Sequence, residues 1–265
     1  MRGAENAINI ERTVMKIAIM GGTGLVGRKL VGVLRQRGHE VVAASSRNGV
    51  DAVTGEGLDA ALHGVEAVVD VLNAPSFEPA AVLAFFETST RHLLAAEVAA
   101  GVRHHVVLSI VGIEGLPDNG YFRAKVAQEA LVRASGVPFT ILRATQFFEF
   151  IGGLAQPDAK GEALRLSPAL MQPVAVDDVV DRLADAVVVP ARNVLVEIAG
   201  PQRIPMADAV AQWLVAHGDL RQVVRDPQAP YFGAVLGPES LVAGREARLG
   251  GTTFADWLRG CVAAA

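Results

Sequence analysis

The chain has 265 residues, of which 51% are hydrophobic and 20% are charged. This balance, with a mean hydropathy of +0.34, excludes a disordered or low-complexity class and predicts a packed globular protein of one or two domains. Charged residues and prolines such as Glu66, Asp70 and Pro75 interrupt the apolar runs. No run reaches the roughly 18 residues of a membrane span, so we expect no membrane association.

Charge and cysteine content narrow the expected partners and location. The net charge is -4, and the basic residues form no block that could follow a nucleic-acid backbone, so direct nucleic-acid binding is not expected. Cys261 is the only cysteine, which excludes an intrachain disulfide and favours a reducing, cytoplasmic location. Residues 1–14 lack the apolar segment of a secretory signal and are predicted to form an N-terminal extension.

Strands and helices are predicted to alternate from Met15 onward. Met15–Met20 is an apolar strand that stops at a glycine cluster, and apolar residues at helical spacing predict a helix over Leu25–Arg37. The alternation continues with strands at His39–Ala44, Ala67–Leu72, His105–Val111 and Phe139–Arg143, and with helices at Ala80–Ala100 and Tyr121–Ala134. This order is typical of an α/β fold with a doubly wound parallel sheet.

The pattern loosens after Phe150, where glycines and prolines become frequent. Helices are predicted at Asp177–Val189 and Ala207–His217, with a strand at Val194–Ile198 between them. We therefore expect a main domain over residues 15–150 and a smaller C-terminal lobe over residues 151–265.

A glycine-rich turn joins the first predicted strand to the first predicted helix. Such a turn lets the backbone approach a pyrophosphate, and the N–H groups at the helix start then bind the anion. The residues predicted to bind the cofactor here are Gly21, Thr23, Gly24, Leu25, Val26 and Gly27. The alternative is a turn that serves the fold alone.

The end of the second strand favours NADP(H) over NAD(H). An NAD site usually has an acidic residue there for the ribose 2′-hydroxyl, whereas this chain has Ser45, Ser46 and Arg47. The Arg47 guanidinium and the Ser46 hydroxyl can bind a 2′-phosphate that a carboxylate would repel. A solvated surface cation is the alternative interpretation of Arg47.

Five segments in order carry a resemblance to a known family. They are GGTGLVG, VDVLNAPS, VVLSIVG, YFRAKVAQEAL and ILRATQFF. With them the chain resembles the atypical short-chain dehydrogenases, and within these the NmrA-like, NAD(P)H-binding branch. The resemblance implies a Rossmann-like NAD(P)-binding domain over residues 15–150, with the cofactor along the carboxyl ends of its strands, and a substrate lobe over residues 151–265.

The resemblance also implies catalytic residues. Tyr121 and Lys125 match the YxxxK pattern, and their spacing puts both side chains on one helix face. Tyr121 would protonate the substrate carbonyl, while Lys125 would lower the phenol pKa and contact the nicotinamide ribose. A chance Tyr and Lys pair on a helix is the alternative. Asn73 matches a segment that lies along the cofactor.

Three positions depart from the family pattern. Ser109 is the hydroxyl available to hold the substrate carbonyl, but the family serine corresponds to Ile110, and neighbouring strand residues face opposite ways. Pro75 replaces a glycine, and the helix asparagine of many reductases has no clear counterpart, with His92 in the nearest region.

A substrate pocket is expected where the last strand of the main domain ends. Gln146, Phe147 and Phe148 follow that strand and would form an apolar wall beside the nicotinamide with one amide contact. Core packing between the lobes is the alternative role of these aromatic residues.

Two further clusters receive structural interpretations. His104 and His105 would face opposite sides of a strand, so no metal site is expected. Asp177 and Asp178 precede a helix, and helix N-capping explains them better than a catalytic carboxylate pair.

The sequence therefore predicts an NADP(H)-dependent oxidoreductase that reduces a carbonyl or quinone of a small apolar molecule. A non-catalytic, NADP(H)-sensing regulatory protein is the alternative, and isomerase or epimerase chemistry on the same fold is a third hypothesis. The expected partner is a small-molecule substrate, with a homodimer or a regulatory protein partner left open.

Overall fold

A parallel sheet of seven strands forms the centre of the protein. The computed structural model describes residues 14–155 and 163–263, so the predicted extension 1–14 lies outside the described residues except for Val14. The strands of the described part are β1 (Lys16–Met20), β2 (Glu40–Ala44), β3 (Ala67–Asp70), β4 (His104–Ile110), β5 (Phe139–Ala144), β6 (Leu164–Leu166), β7 (Leu170–Met171), β8 (Val194–Ala199), β9 (Ile204–Pro205), β10 (Val223–Arg225), β11 (Pro230–Tyr231), β12 (Ala234–Val235) and β13 (Arg248–Leu249).

The helices pack on both faces of this sheet and in a second, smaller core. They are α1 (Leu25–Gln36), α2 (Leu58–Leu62), α3 (Pro79–Ala100), α4 (Gly120–Ala134), α5 (Ile151–Leu154), α6 (Val176–Val187), α7 (Met206–Ala216) and α8 (Phe254–Ala263). Among the described residues, no helix is both long and apolar enough to cross a membrane.

The strand order is β2-β1-β3-β4-β5-β8-β13, with every neighbouring pair parallel. Strand β2 lies on one side of β1, and the chain then crosses to β3 on the other side. Open parallel sheets bind ligands at the carboxyl ends of the strands where the order reverses in this way. The fold therefore puts the candidate site at the ends of β1 and β3.

Both faces of the sheet are buried, which explains the continuous apolar runs of its strands. Ile17 and Ile19 of β1 pack in one core cluster with Leu30 of α1 and Leu183 of α6. The alternate residues of β1 face α2 and α3, as Met20 does. Helices α3 and α4 pack against each other on that second face. The predicted α/β fold with a doubly wound parallel sheet is confirmed.

The segment after residue 151 contributes to two packing units. A second core contains Phe148, Met171, Val210 and Phe254, and it includes α7 and α8. Helix α6 and strands β8 and β13 instead return to the central sheet. The division at residue 151 stays a prediction, because the chain alternates between the two units beyond that point.

Candidate cofactor and active site

The glycine turn after β1 brings the backbone of β1, β2 and α1 close together. Gly21 has a φ of +81°, which favours glycine, and the N–H groups of Gly21 and Gly22 both donate to Ala44 O at 2.9 Å. A Cβ on Gly27 would lie 2.2 Å from Gly21 O. Glycine at position 27 is therefore required for α1 to pack directly on the turn.

The start of α1 offers backbone donors to an anion. Helix α1 begins after Gly24, no side chain caps it, and its first turn contains no acidic residue. Its first N–H groups lack the partners found inside a helix, and both these groups and the helix dipole favour an anion. Thr23 and Gly24 are exposed beside them, so the residues present fit a pyrophosphate.

Gly24 itself does not need a glycine backbone conformation. Its φ is -76°, and the nearest atom to a Cβ built there is Gly21 O at 3.3 Å. A Cβ at this position therefore makes one tight contact without a clash. The close approach of a phosphate group is the further reason to expect glycine there.

Ser46 and Arg47 lie just beyond β2, in a short 3-10 turn. The Asn48 side chain holds this turn, since its Oδ1 accepts from the Ser45 N–H at 2.8 Å. Ser46 and Arg47 are exposed, and neither side chain has a hydrogen-bond partner within residues 14–155 and 163–263. A hydroxyl and a guanidinium thus remain available at the end of β2.

Local capping signals position the start of α4 against the start of α3. The Asn119 side chain accepts from the Phe122 N–H at 3.1 Å and begins α4. The Glu78 carboxylate accepts from the Ala81 N–H at 2.8 Å and begins α3, with Pro79 in the first turn. A Cβ on Gly120 would meet Pro79 Cβ at 2.7 Å, so glycine permits this close contact.

This contact brings Tyr121 to the end of β3. The Tyr121 hydroxyl donates to Asn73 Oδ1 at 2.6 Å, so two of the predicted site residues meet across 48 positions of sequence. Burial, together with the Asp70 carboxylate, raises the pKa of Tyr121 above its usual value. The expected lowering of this pKa by Lys125 is therefore wrong for the protein without cofactor, and the phenol is neutral at pH 7.

Lys125 is buried beneath Tyr121 in a chain of polar groups. Its Nζ donates to Leu108 O at 2.9 Å and also to Gln128 Oε1. Gln128 Nε2 in turn donates to Asp70 Oδ2 at 2.9 Å. Burial lowers the pKa of Lys125 to about 8, while Asp70 opposes this shift. The Lys125 ammonium is thus mostly charged at neutral pH. The Gln128 side-chain amide accepts a hydrogen bond from it and donates one to the Asp70 carboxylate.

Ser109 does not reach the surface of the site. Its side chain is buried, and its hydroxyl has no hydrogen-bond partner within the described residues. Ile110, at the position of the family serine, packs with Tyr121 against the second core. The one-residue offset seen in the sequence is thus preserved in the strand, and the role of Ser109 beside Tyr121 and Lys125 stays a prediction.

Arg143 fixes α4 from the neighbouring strand β5. Its Nε and Nη2 donate to the two carboxylate oxygens of Glu129, both at 2.7 Å, and its Nη1 donates to Glu114 Oε2 at 3.0 Å. Arg143 and Glu129 are buried, so this is a desolvated, bidentate ion pair. It joins β5 to α4 and to the loop that leads into Tyr121.

Gln146, Phe147 and Phe148, which follow β5, have different environments. Phe148 is buried in the second core, 5.2 Å from the Phe254 ring, so here it is a packing residue rather than an open pocket wall. Phe147 is half-buried and stacks on Phe150 at 5.6 Å. Both amide atoms of Gln146 are buried without a partner among the described residues, which leaves Gln146 as the polar candidate.

The remaining sequence candidates have structural roles. His104 pairs with Thr140 and His105 with Glu97, on opposite faces of β4. His92 lies against Ala52 O at 3.3 Å, away from Tyr121.

The capping interpretation of the two aspartates is wrong in detail. Asp177 and Asp178 lie in the first turn of α6, whose N-cap is Ala175. Asp177 pairs with Lys29, and Asp178 accepts from the Thr252 N–H.

Sequence reasoning did not single out several residues that support the site. Asp70 was visible as a carboxylate in an otherwise apolar strand, and Gln128 as a polar residue three positions after Lys125. Phe77, which contacts Tyr121, and Phe232, which contacts Phe77, are far apart in sequence and carried no local signal.

Comparison with known proteins supports the nucleotide-binding interpretation of this geometry. A family model described as NAD(P)H-binding matches residues 21–190. A (4-alkanoyl-5-oxo-2,5-dihydrofuran-3-yl)methyl phosphate reductase from Streptomyces griseus is 37% identical over 145 residues, which are 49% of this chain and 48% of that protein. A photosystem II assembly factor Ycf39 from Cyanophora paradoxa is 27% identical over 158 residues, 54% of this chain and 49% of that protein.

These alignments mean that the chain spans about half the length of the curated relatives it matches. A solved structure covers more of it. A short-chain dehydrogenase/reductase superfamily protein from Agrobacterium tumefaciens, with bound NAD, has a TM-score of 0.72 and 20% identity, over 94% of this chain and 96% of that one. The matched model spans the glycine turn, Tyr121 and Lys125, and the chain belongs to the NAD(P)H-binding family.

Proposed function

We propose that this protein is an NADP(H)-dependent oxidoreductase that reduces a carbonyl or quinone of a small apolar molecule. The observation that carries the proposal is the Tyr121 hydroxyl, which donates to Asn73 at the carboxyl end of β3, with the Lys125 ammonium buried on the same helix. NADPH supplies the hydride when it is bound. The similarity to a reductase adds support.

Tyr121 would act as the proton donor. Its raised pKa keeps the phenol protonated at neutral pH, so a substrate carbonyl that replaces Asn73 as the acceptor receives a hydrogen bond and then the proton. Lys125 would contribute positive charge below the phenol. The Gln128 amide and the Leu108 carbonyl hold that charge in position while the negative charge develops above it.

NADP(H) is proposed over NAD(H) because of the end of β2. Arg47 and Ser46 are exposed there, where the adenosine ribose of a cofactor bound at the glycine turn would lie. A planar guanidinium pairs well with a phosphate dianion.

A non-catalytic, NADP(H)-sensing regulatory role is the second candidate. The burial of Ser109 favours it, because the hydroxyl that would hold a substrate carbonyl is absent from the surface of the site. The similarity to a photosystem II assembly factor points in the same direction. The two candidates share the cofactor site and differ only in turnover.

Replacement of Tyr121 by Phe separates them. NADPH oxidation is screened over quinones, ketones and aldehydes, and the variant is compared with the unmodified protein on each responding compound. Tyr121→Phe keeps the ring, so we expect kcat to fall by roughly 10²- to 10⁴-fold with NADPH affinity unchanged. An unchanged kcat in Tyr121→Phe would contradict the assignment of Tyr121 as the proton donor. Tight NADPH binding without oxidation of any compound would favour the regulatory role.

A further inference from the structure

Two exposed phenylalanines continue from the Tyr121 ring, with Phe77 in contact with Tyr121 and Phe232 in contact with Phe77. Phe77 follows β3 and is 66% exposed, and Phe232 lies between β11 and β12 and is 58% exposed. Their ring centroids are 6.2 Å apart with the planes 26° from parallel, and Phe77 lies 6.0 Å from Tyr121. The two rings thus extend the aromatic surface of Tyr121 into solvent. We call them the Phe77–Phe232 wall.

Buried aromatic residues adjoin both sides of the wall. On one side Phe77 contacts Tyr121, and Phe86 of α3 packs edge-on against Tyr121 at 5.7 Å. On the other side, Tyr231 packs edge-on against Phe232 at 4.8 Å and is itself buried in the second core. The wall therefore continues a row of aromatic side chains that runs from the interior to the surface.

Phe232 adopts a backbone conformation that phenylalanine rarely takes. Strands β11 and β12 are joined by the two residues Phe232 and Gly233, with φ values of 46° and 87°. Positive φ at both positions defines a type I′ turn, where Asn, Asp or Gly is preferred at the first position. A bulky side chain is strained there, and such strain is concentrated at ligand sites. Neither burial nor turn geometry accounts for phenylalanine at position 232.

We propose that the Phe77–Phe232 wall binds the substrate and selects one whose reacting carbonyl belongs to a planar, apolar ring. The carbonyl role rests on the proposed function, whereas the ring binding does not. Flat π surfaces attract one another by offset stacking and exclude water, while an aromatic face offers no hydrogen bonds to a hydroxyl-rich or phosphorylated group. Because the Phe77 ring contacts the Tyr121 ring, a substrate ring stacked on Phe77 would lie beside Tyr121.

A redox-inert planar carbonyl compound, coumarin, tests the wall by calorimetry on the full chain saturated with NADP⁺. We expect coumarin to bind the unmodified protein, and its affinity to fall roughly three- to tenfold in Phe77→Leu and in Phe232→Asn. Phe232→Tyr keeps the ring and should retain the affinity. Leu220→Asn changes a fully exposed apolar residue outside the wall and serves as the control.

Folding and binding are separable in this experiment. Asn suits the first position of a type I′ turn, so Phe232→Asn should unfold at the same temperature as the unmodified protein or higher. Weaker coumarin binding by that variant then reflects the lost ring. Cyclohexanone, which is not planar, should show less than a twofold difference between the variants.

Three outcomes would overturn the proposal: no binding of coumarin to the unmodified protein, equal binding by both Phe variants, or an equal loss in Leu220→Asn. These outcomes are independent of turnover. If coumarin binding depends on the wall but no carbonyl is reduced, the proposed function fails and the ring-binding site stands. If quinones are reduced with the same KM in all variants, the proposed function stands and the wall does not select the substrate.

Discussion

The glycine turn and the surroundings of Tyr121 are built in different ways. The turn is one short segment whose contacts are made by backbone atoms, and its requirement is the absence of side chains at Gly21 and Gly27. The surroundings of Tyr121 use side chains from distant segments, namely Asn73 and Phe77 after β3 and Phe86 of α3. A site formed by backbone atoms can therefore be predicted from a short sequence motif. A site formed by side chains depends on how the whole chain packs.

The two regions should also respond differently to substitution. A substitution in the glycine turn should mainly weaken cofactor binding. A substitution near Tyr121 should mainly change the reaction rate, because it shifts α4. Four measurements test this contrast, from the largest expected effect to the smallest.

Of the four changes, loss of Arg143 should lower the free energy of unfolding most. Arg143→Met leaves the Glu129 carboxylate buried without its bidentate partner, which costs roughly 3–5 kcal/mol in the free energy of unfolding. Urea denaturation measures this loss. Arg133→Met is the matched control, because Arg133 is 3.4 Å from the same carboxylate but half exposed, and its loss should cost at most about 1 kcal/mol. Equal effects would show that Arg143 is not what fixes α4.

A single methyl group added at Gly27 should move α1 away from the glycine turn. Gly27→Ala puts a Cβ within 2.2 Å of Gly21 O, so α1 must move away from the turn. This movement takes the N–H groups at the start of α1 away from the pyrophosphate, so we expect NADPH binding measured by calorimetry to weaken roughly a hundredfold, which corresponds to about 3 kcal/mol of binding free energy.

Gly32 provides the control for this prediction. It lies in the same helix with no heavy atom within 4 Å of a built Cβ. Gly32→Ala should therefore leave NADPH affinity unchanged and stabilise α1 by about 0.5–1 kcal/mol. If Gly27→Ala binds NADPH as tightly as the unmodified protein does, the pyrophosphate does not bind at the glycine turn.

Lys125 should make folding stability depend on pH. Burial lowers its pKa from 10.5 to about 8, so between these values the unfolded chain holds a proton that the folded chain lacks. The free energy of unfolding therefore rises with pH in this window, by up to about 1.4 kcal/mol per pH unit relative to Lys125→Met. Urea denaturation without cofactor at about pH 7 and pH 10 measures the difference.

The control for the lysine prediction is Lys29→Met, which removes an exposed partner of Asp177. Its stability difference from the unmodified protein should not increase over the same pH range. A flat difference for Lys125→Met as well would mean that its ammonium is not desolvated.

Arg47 should set cofactor preference with the smallest effect, because it is exposed and screened by solvent. Arg47→Asp should lower the ratio of NADPH to NADH affinity by about tenfold or more, through repulsion of the 2′-phosphate. Arg47→Leu removes the charge without adding repulsion and should have an intermediate ratio. Equal affinities of the unmodified protein for both cofactors would remove the basis for NADP(H).

The predicted elements agree with the structure because each depends on local signals. The apolar run of β1, the helical spacing of α1 and the glycine between α1 and β2 all act within a few residues. Helix α2 was missed because five residues are too few for a periodic pattern, and α8 lies beyond the last segment that was interpreted.

What the sequence by itself determined was the α/β order, the glycine turn and the pairing of Tyr121 with Lys125 on one helix. Each follows from backbone geometry or from a fixed helical period. The tertiary structure alone decided that Ser109 is buried, that Phe148 packs with Phe254, and that Phe77 meets Phe232. These outcomes depend on which face of a strand or loop meets another segment, and contacts between residues distant in the chain leave no local pattern to read.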